Sequence, residues 1–221
     1  MRESRLNLET IRHALRKPLP GREAQLTMAV RPRPGDVVQL PDPCPREAAV
    51  LLLLYVRRAQ WVLPLTQRTD HLEMHSGQIS LPGGAREPLD QDFAATALRE
   101  TCEELGILGD GVEMLGALTP LYVPPSRFCV YPHVGCLPEP PALRPDPSEV
   151  ASVLEVSLLQ LLDPGTRREE VHWRGDERFE VPVYQIGSDQ IWGATAMILG
   201  EFVSVLGSAL AAARPPAEPG A

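Results

Sequence analysis

The order of apolar and polar residues divides the middle of the chain into short strands. The run "AAVLLLLYV", residues 48 to 56, is apolar throughout, which is typical of a strand buried on both faces. The stretch "QWVLPLTQR" follows across the polar turn "RRAQ", and the two predict a hairpin. Further strands are predicted in "VEMLGALTPLYV", in "FCVYPHVGCL", in the first half of "VASVLEVSLLQLLD" and in a second hairpin around "RGDE".

Helical spacing of apolar residues predicts a helix at each end of the chain and one between the strands. The stretch "LNLETIRHALRK", with Leu8, Ile11 and Leu15 at helical spacing, predicts a short amphipathic helix, and the Pro- and Gly-rich stretch after it is typical of a linker or a wrapping arm. The clearest helix is "QDFAATALRETCEELGI", which Asp90 or Asp92 can cap and Gly106 can end. The stretch "ATAMILGEFVSVLGSALAAA" predicts a long C-terminal helix.

These elements predict an α/β fold in which a mixed β-sheet packs between helices. A length of 221 residues suits one large domain with appendages. We expect an N-terminal helix and arm at residues 1–34, the main domain at residues 35–212 and a disordered tail at residues 213–221.

Composition narrows the classes of partner. The net charge of −8 would repel a polyanion, so we expect no nucleic-acid polymer, although a local site can still take a small phosphorylated ligand. No apolar signal core precedes residue 10, and residues 48 to 56 are too few for a membrane span, so we expect no membrane association. The sequence leaves open whether the protein is a monomer or a homodimer.

The cysteine pattern bears on the compartment. Cys44, Cys102, Cys129 and Cys136 form no C-x-x-C pair and have no histidines at zinc spacing. This pattern favours four reduced thiols in a reducing compartment, and we therefore expect a cytoplasmic protein.

An acidic cluster stands out in "RETCEELGI", residues 99 to 107. On a helix, Glu100, Glu103 and Glu104 can converge on one side, where like charges cost a few tenths of a kcal/mol per pair. They also lie near the C-terminal end of the helix, where the dipole disfavours anions. The cluster is either a solvated acidic face, with Arg99 pairing Glu103, or a site for Mg²⁺ or Mn²⁺, which prefer carboxylate oxygens.

The stretch "SLPGGAREPLD" upstream favours the second interpretation. Gly83 and Gly84 permit a tight turn that exposes backbone N–H groups close to the helix. Pro-Gly-Gly followed about fifteen residues later by R-E-x-x-E-E-x-G resembles the signature of the Nudix hydrolase family. The second half of that signature is matched by Arg99, Glu100, Glu103, Glu104, Gly106 and Ile107, with Thr101 in place of the first bulky apolar residue.

The loop before the helix departs from the signature. Counting back from Arg99 puts Ala85 and Gln91 where the signature has glycine and glutamate. Counting forward from Gly84 puts Asp90 at the acidic position, with one residue too many before Arg99. A one-residue insertion in the loop explains both counts.

The resemblance implies an α/β/α sandwich and a Mg²⁺- or Mn²⁺-dependent hydrolase acting on a nucleoside diphosphate linked to another moiety. It implies Glu100, Glu103 and Glu104 as metal ligands, with Glu103, Glu104 and Arg99 as catalytic residues. One of these glutamates is the general base, or else a loop carboxylate such as Glu149, which could also be an extra metal ligand. A helix cap or an ion pair is the alternative role for Glu149.

Residues 65 to 84, "LTQRTDHLEMHSGQISLPGG", are similar to the additional signature of the coenzyme A pyrophosphatase branch. Glu73 stands where that signature has arginine. The match implies a substrate-binding set of Arg68, Gly77, Gly83 and Gly84, although Arg68 could instead form a surface ion pair.

The function implied by this branch is hydrolysis of coenzyme A, or a derivative of it, to adenosine 3′,5′-bisphosphate and 4′-phosphopantetheine. Two alternatives stay open. One is a Nudix hydrolase acting on ADP-ribose, dinucleotides or nucleoside triphosphates, and the other is a Nudix-fold binding module without catalysis. The expected partner is a small-molecule diphosphate substrate, coenzyme A.

Overall fold

The computed structural model describes residues 6–32, 40–69 and 78–212. The helices are α1 (Leu8–Leu15), α2 (Gly21–Leu26), α3 (Phe93–Leu105), α4 (Leu158–Leu162) and α5 (Gly193–Ala212). The strands are β1 (Arg46–Arg57), β2 (Gln60–Arg68), β3 (Ile79–Ser80), β4 (Gly83–Ala85), β5 (Glu113–Ala117), β6 (Leu121–Val123), β7 (Phe128–Cys136), β8 (Val150–Ser157), β9 (Arg167–Arg174), β10 (Glu177–Ile186) and β11 (Asp189–Ile191).

Strand β1 is the centre of an eight-stranded mixed sheet. The main path of the sheet runs β3-β2-β1-β7-β5, and β4, β6 and β8 pair with β1, β7 and β2. Strand β1 runs parallel to β7 over most of its length, and it pairs antiparallel with β4 near Val50 and with β2 near Tyr55. The predicted buried strand and the β1–β2 hairpin are both confirmed.

The sheet separates two hydrophobic clusters. On one face, α3 packs against alternate residues of β1. On the other face, the remaining residues of β1 share a cluster with α1 and α5, and α2 packs against α5. Alternation along β1 is the reason, since successive side chains of a strand point to opposite faces. The α/β/α sandwich is therefore confirmed.

The stretch predicted as a linker or wrapping arm instead contains helix α2. Gln25 of this helix is buried and donates to a carboxylate oxygen of Glu201 in α5 at 2.9 Å and to the carbonyl oxygen of Thr119 at 2.7 Å. The Thr119 hydroxyl also donates to Glu201, at 2.6 Å. A six-residue helix is too short to form alone, so packing against α5 decides it and the sequence pattern could not.

The boundary predicted between residues 34 and 35 and the predicted tail at 213–221 lie outside the described residues. Both stay predictions.

Helix α5 is long and apolar enough to cross a bilayer by length and composition alone. However, 61% of its most apolar window is buried inside the structure. A buried core helix passes the same test, and α5 contributes Phe202 and Leu206 to the core.

The expectation of four free thiols is wrong for one pair of cysteines. Cys44 and Cys129 form a disulfide, with Cα atoms 6.3 Å apart, while Cys102 and Cys136 are free. The segment before β1 lies beside β7 only in the folded chain, and for that reason no local spacing signals the pair.

Candidate active site

Helix α3 carries the acidic cluster on its last two turns. The Asp92 side chain caps its start by accepting from the Ala95 N–H at 2.8 Å, and Gly106 ends it with φ +61°. The predicted bounds are thus confirmed, and Asp92 rather than Asp90 is the cap.

Asp90 has a different role, as the anchor of Arg99. The Nε and Nη2 atoms of Arg99 donate to the two carboxylate oxygens of Asp90 at 3.0 and 3.1 Å. The hydrogen bonds from Arg99, with others from the Glu87 N–H and the Thr96 hydroxyl, hold the pKa of Asp90 well below its usual range. Counting forward from Gly84 in the sequence therefore identified the carboxylate that pairs with Arg99. This contact agrees with a one-residue insertion between Asp90 and Arg99.

Arg99 also contacts the cluster itself. Its Nη1 lies 3.0 Å from Oε2 of Glu103 and 3.0 Å from Oε1 of Glu100, and its Nη2 donates to the Ala85 carbonyl at 3.1 Å. One guanidinium thus joins the glycine turn to the helix and orients two carboxylates. The predicted Arg99–Glu103 pair is present, and the catalytic role given to Arg99 stays a prediction.

The two glycines of β4 allow the turn to approach other backbone and side-chain atoms closely. A Cβ on Gly84 would lie 2.3 Å from Oε2 of Glu100, so only glycine leaves room for that carboxylate in its present position. Gly83 has φ +148°, and a Cβ there would lie 2.3 Å from the Ala49 carbonyl of β1. Close approach of the turn to α3 and β1 thus depends on both glycines.

Glu104 is a buried carboxylate in an unusual environment. Its residue is 6% exposed, and the Gly83 N–H donates to it. Its Oε2 has no hydrogen-bond partner among the described residues. Burial raises the pKa of Glu104 to about 8, with a further contribution from the charges of Glu149 and Glu100, against the opposing effect of Arg68.

Burial also raises the pKa of Glu100, and the charges of Glu103 and Glu149 add to the effect while Arg99 opposes it. The pKa values of two neighbouring carboxylates are therefore raised. An added positive charge beside them would lower both.

Arg68 ends β2 and acts electrostatically on Glu104. Its Nε is buried and has no hydrogen-bond partner in the described part of the chain, and the alternative of a surface ion pair is not found there. The backbone N–H of Arg68 donates to the Gln78 carbonyl oxygen at 3.2 Å. The charge of the Arg68 guanidinium thus acts on the carboxylate cluster.

Glu149 lies in the loop before β8, and this loop contacts the end of α3 that carries the acidic cluster. The Asp146 N–H donates to the Glu104 carbonyl at 3.0 Å, and the Thr69 N–H donates to the Glu149 carbonyl at 3.1 Å. These bonds join the loop to the end of α3 and to the end of β2. Sequence reasoning singled out Glu149 but missed Asp146, since its contact is made by backbone atoms and leaves no side-chain signal.

The three glutamates are neighbours but do not point to one centre. Across residues 6–32, 40–69 and 78–212, no group of three His, Cys, Asp or Glu side chains has the geometry to hold a metal ion as it stands. Glu100 and Glu103 share one nitrogen of Arg99, whereas Glu104 is buried beside the Gly83 N–H. Gly77 and Glu73 lie outside the described residues, so their predicted roles stay predictions.

Comparison with known proteins places these residues in a family. The NUDIX domain family model matches residues 45–176. The human protein named mitochondrial coenzyme A diphosphatase NUDT8 is 38% identical over 157 residues, which cover 70% of this chain and 66% of that protein. An uncharacterized Nudix hydrolase, NudL, from Yersinia enterocolitica is 37% identical over 155 residues, covering 68% of this chain and 77% of that protein.

Among solved structures, the Nudix hydrolase RenU from M. smegmatis matches with a TM-score of 0.47 and 15% identity, covering 78% of this chain and 90% of that chain.

The Asp90–Arg99 contact predicts an acid-sensitive contribution to stability. Since pairing lowers the pKa of Asp90 below its value in the unfolded chain, the contribution is present at neutral pH and is lost as the pH falls below about 4. Asp90→Asn should lower the free energy of unfolding at pH 7 by about 1–3 kcal/mol, and the difference from wild type should shrink in acid. Urea unfolding over a pH series measures both effects.

Asp92→Asn is the matched control for that experiment. It makes the same change two residues away, and asparagine caps a helix as well as aspartate does. A deficit in Asp90→Asn that equals the control, or that persists unchanged in acid, would contradict the assigned contact.

Proposed function

The chain belongs to the NUDIX domain family, and on that premise we propose that it hydrolyses the pyrophosphate bond of coenzyme A or a coenzyme A derivative. The observation that carries the reaction type is the buried Glu104 carboxylate, held between the Gly83 N–H and the charge of Arg68. Support for the substrate comes from the similarity of residues 65 to 84 to the coenzyme A pyrophosphatase signature and from the 38% identity to the relative named as a coenzyme A diphosphatase.

The site fits a divalent cation by the chemistry of its donors. Glu104 has a buried oxygen with no partner in the described residues, and burial with neighbouring carboxylates raises the pKa of both Glu104 and Glu100. Glu100, Glu103 and Glu104 would hold Mg²⁺ or Mn²⁺, which prefer carboxylate oxygens and share their shell with substrate phosphates. The chemistry that such a cation supplies when bound is neutralisation of phosphate charge and a lower pKa for water.

Binding of the diphosphate, orientation of the carboxylates and proton transfer are assigned to residues of the chain. Arg68 presents a guanidinium that can bind a diphosphate oxygen, and Arg99 orients Glu100 and Glu103. Water attacks one phosphorus atom of the diphosphate, and the bond from that phosphorus to the bridging oxygen breaks. The proton of the water passes to a carboxylate, for which Glu149 and the three helix glutamates are the candidates.

The substrate is tested by a panel of diphosphates. Purified protein with Mg²⁺ or Mn²⁺ should cleave coenzyme A to adenosine 3′,5′-bisphosphate and 4′-phosphopantetheine with the highest kcat/KM of the panel. The other members are ADP-ribose, a dinucleotide and a nucleoside triphosphate. A higher kcat/KM on one of those compounds would contradict coenzyme A as the substrate but not the assignment to the family. Metal-dependent binding without turnover would favour a binding module.

Glu104→Gln tests the buried carboxylate. It keeps the shape of the side chain and removes the charge that is proposed to hold the cation, so kcat should fall by about 100-fold or more while the fold is retained. Glu139→Gln makes the same change at an exposed loop position and should leave kcat unchanged. Full activity in Glu104→Gln would remove this residue from the mechanism.

Gly84→Ala tests the close approach of β4 to Glu100. The added Cβ would overlap the end of the Glu100 side chain, which can swing away at little cost in stability but then loses its position. We expect kcat to fall at least about tenfold, with little change in thermal unfolding. Gly207→Ala, whose Cβ would meet nothing within 4 Å, is the control, and equal activities of the two variants would contradict the role of Gly84.

A further inference from the structure

Strand β9 is the exposed edge of the small three-stranded sheet. The order of that sheet is β11-β10-β9, and β9 pairs with β10 along its whole length. No strand within the described part of the chain pairs with its other side, and every residue of β9 except Glu170 is exposed. An edge strand of this length presents a row of backbone donors and acceptors that another strand can use.

The register of the hairpin shows which backbone groups face outward. Arg174 pairs with Glu177 across a two-residue turn, and such a closing pair exchanges hydrogen bonds. Since hydrogen-bonded and non-hydrogen-bonded pairs alternate, the residues of β9 whose N–H and C=O groups point away from β10 are Arg167, Glu169, Val171 and Trp173.

Two features of β10 agree with this assignment. Pro182, which has no N–H, lies opposite Glu169, where no hydrogen bond is needed. Glu180 lies opposite Val171 and uses its own N–H and C=O for Arg31, at 2.7 and 2.8 Å, on the far side of β10.

Two of these four residues of β9 have the exposed apolar side chains of the small sheet. Trp173 is 66% exposed and Val171 is 46% exposed, and both point to the same face of the strand. Charges flank them on the other face, where Glu170 is acidic and Arg174 is basic. Apolar, acidic and basic residues thus alternate in a short segment that can complement a copy of itself.

We propose that β9 pairs antiparallel with β9 of a second copy of this chain, about a twofold axis at His172. Val171 then lies opposite the partner's Trp173, and Trp173 lies opposite the partner's Val171, so both exposed apolar side chains are covered. Each of these two residue pairs exchanges backbone hydrogen bonds, since all four residues have outward-facing groups. Glu170 lies opposite the partner's Arg174, which gives an ion pair on each side of the axis.

Neighbouring registers are disfavoured by charge. An axis at Val171 would bring Arg168 opposite the partner's Arg174, and an axis at Trp173 would bring Glu170 opposite the partner's Asp176. Like charges directly opposite one another destabilise a strand pair. If the axis lay between two residues, residues whose backbone N–H and C=O groups point away from β10 would lie opposite partner residues whose groups point toward it. The axis at His172 therefore gives a register in which both the backbone groups and the side chains are matched.

Sedimentation velocity of the full chain tests the pairing. Wild type should sediment as a dimer of twice 24.2 kDa. Val171→Pro removes an outward-facing N–H without removing a bond to β10, so it should give the monomer with the hairpin retained. Glu139→Arg, an exposed loop substitution with the same charge change as Glu170→Arg, should leave the dimer intact.

A charge exchange tests the register. Glu170→Arg and Arg174→Glu should each shift the equilibrium to the monomer, because each places like charges opposite one another, and the double variant should restore the dimer. A monomeric wild type would overturn the proposal, as would a dimer that survives Val171→Pro or both single charge reversals. Singles that dissociate without rescue in the double variant would overturn the register at His172.

Discussion

The bidentate contact between Asp90 and Arg99 is the interaction on which the candidate site depends. It fixes the loop after β4 to α3, and the same guanidinium reaches Glu100 and Glu103. Because the contact crosses from loop to helix, it sets both the distance of the glycine turn from α3 and the direction of two carboxylates. The contact agrees with the predicted one-residue insertion in this loop, since Asp90 supplies the carboxylate.

Close packing around the carboxylates makes the site electrostatically costly. Glu104 is buried with only partial hydrogen bonding, and Gly84 brings backbone against Glu100. Burying a carboxylate raises its pKa because the charged form loses hydration, and each neighbouring carboxylate adds to the effect. Sites of strongly shifted pKa are concentrated at functional centres, and the presence of Arg68 and Glu149 beside this one agrees with the proposed hydrolysis of a diphosphate.

The opposite face of the sheet carries a polar network with no part in the proposed chemistry. Glu201 is fully buried in α5, and Gln25 and Thr119 donate to it from two other parts of the chain. A buried carboxylate is tolerated when hydrogen bonds replace its hydration. The N-terminal segment is thereby joined to the core, while no strand among residues 6–32, 40–69 and 78–212 covers the edge of β9 that the proposed pairing uses.

The sequence by itself determined the parts that depend on local pattern. An apolar run gave β1, helical spacing with Asp92 and Gly106 gave α3, and the spacing within "RETCEELGI" placed the three glutamates. Tertiary structure alone decided that α2 is a helix, that Cys44 meets Cys129, that Asp90 holds Arg99, and that the loop before Glu149 docks on α3. Most of these contacts join residues that are distant along the chain. The contact between Asp90 and Arg99 spans only nine residues. Counting from Gly84 singled out Asp90 and counting from Arg99 singled out Gln91, and the path of the loop decided between the two.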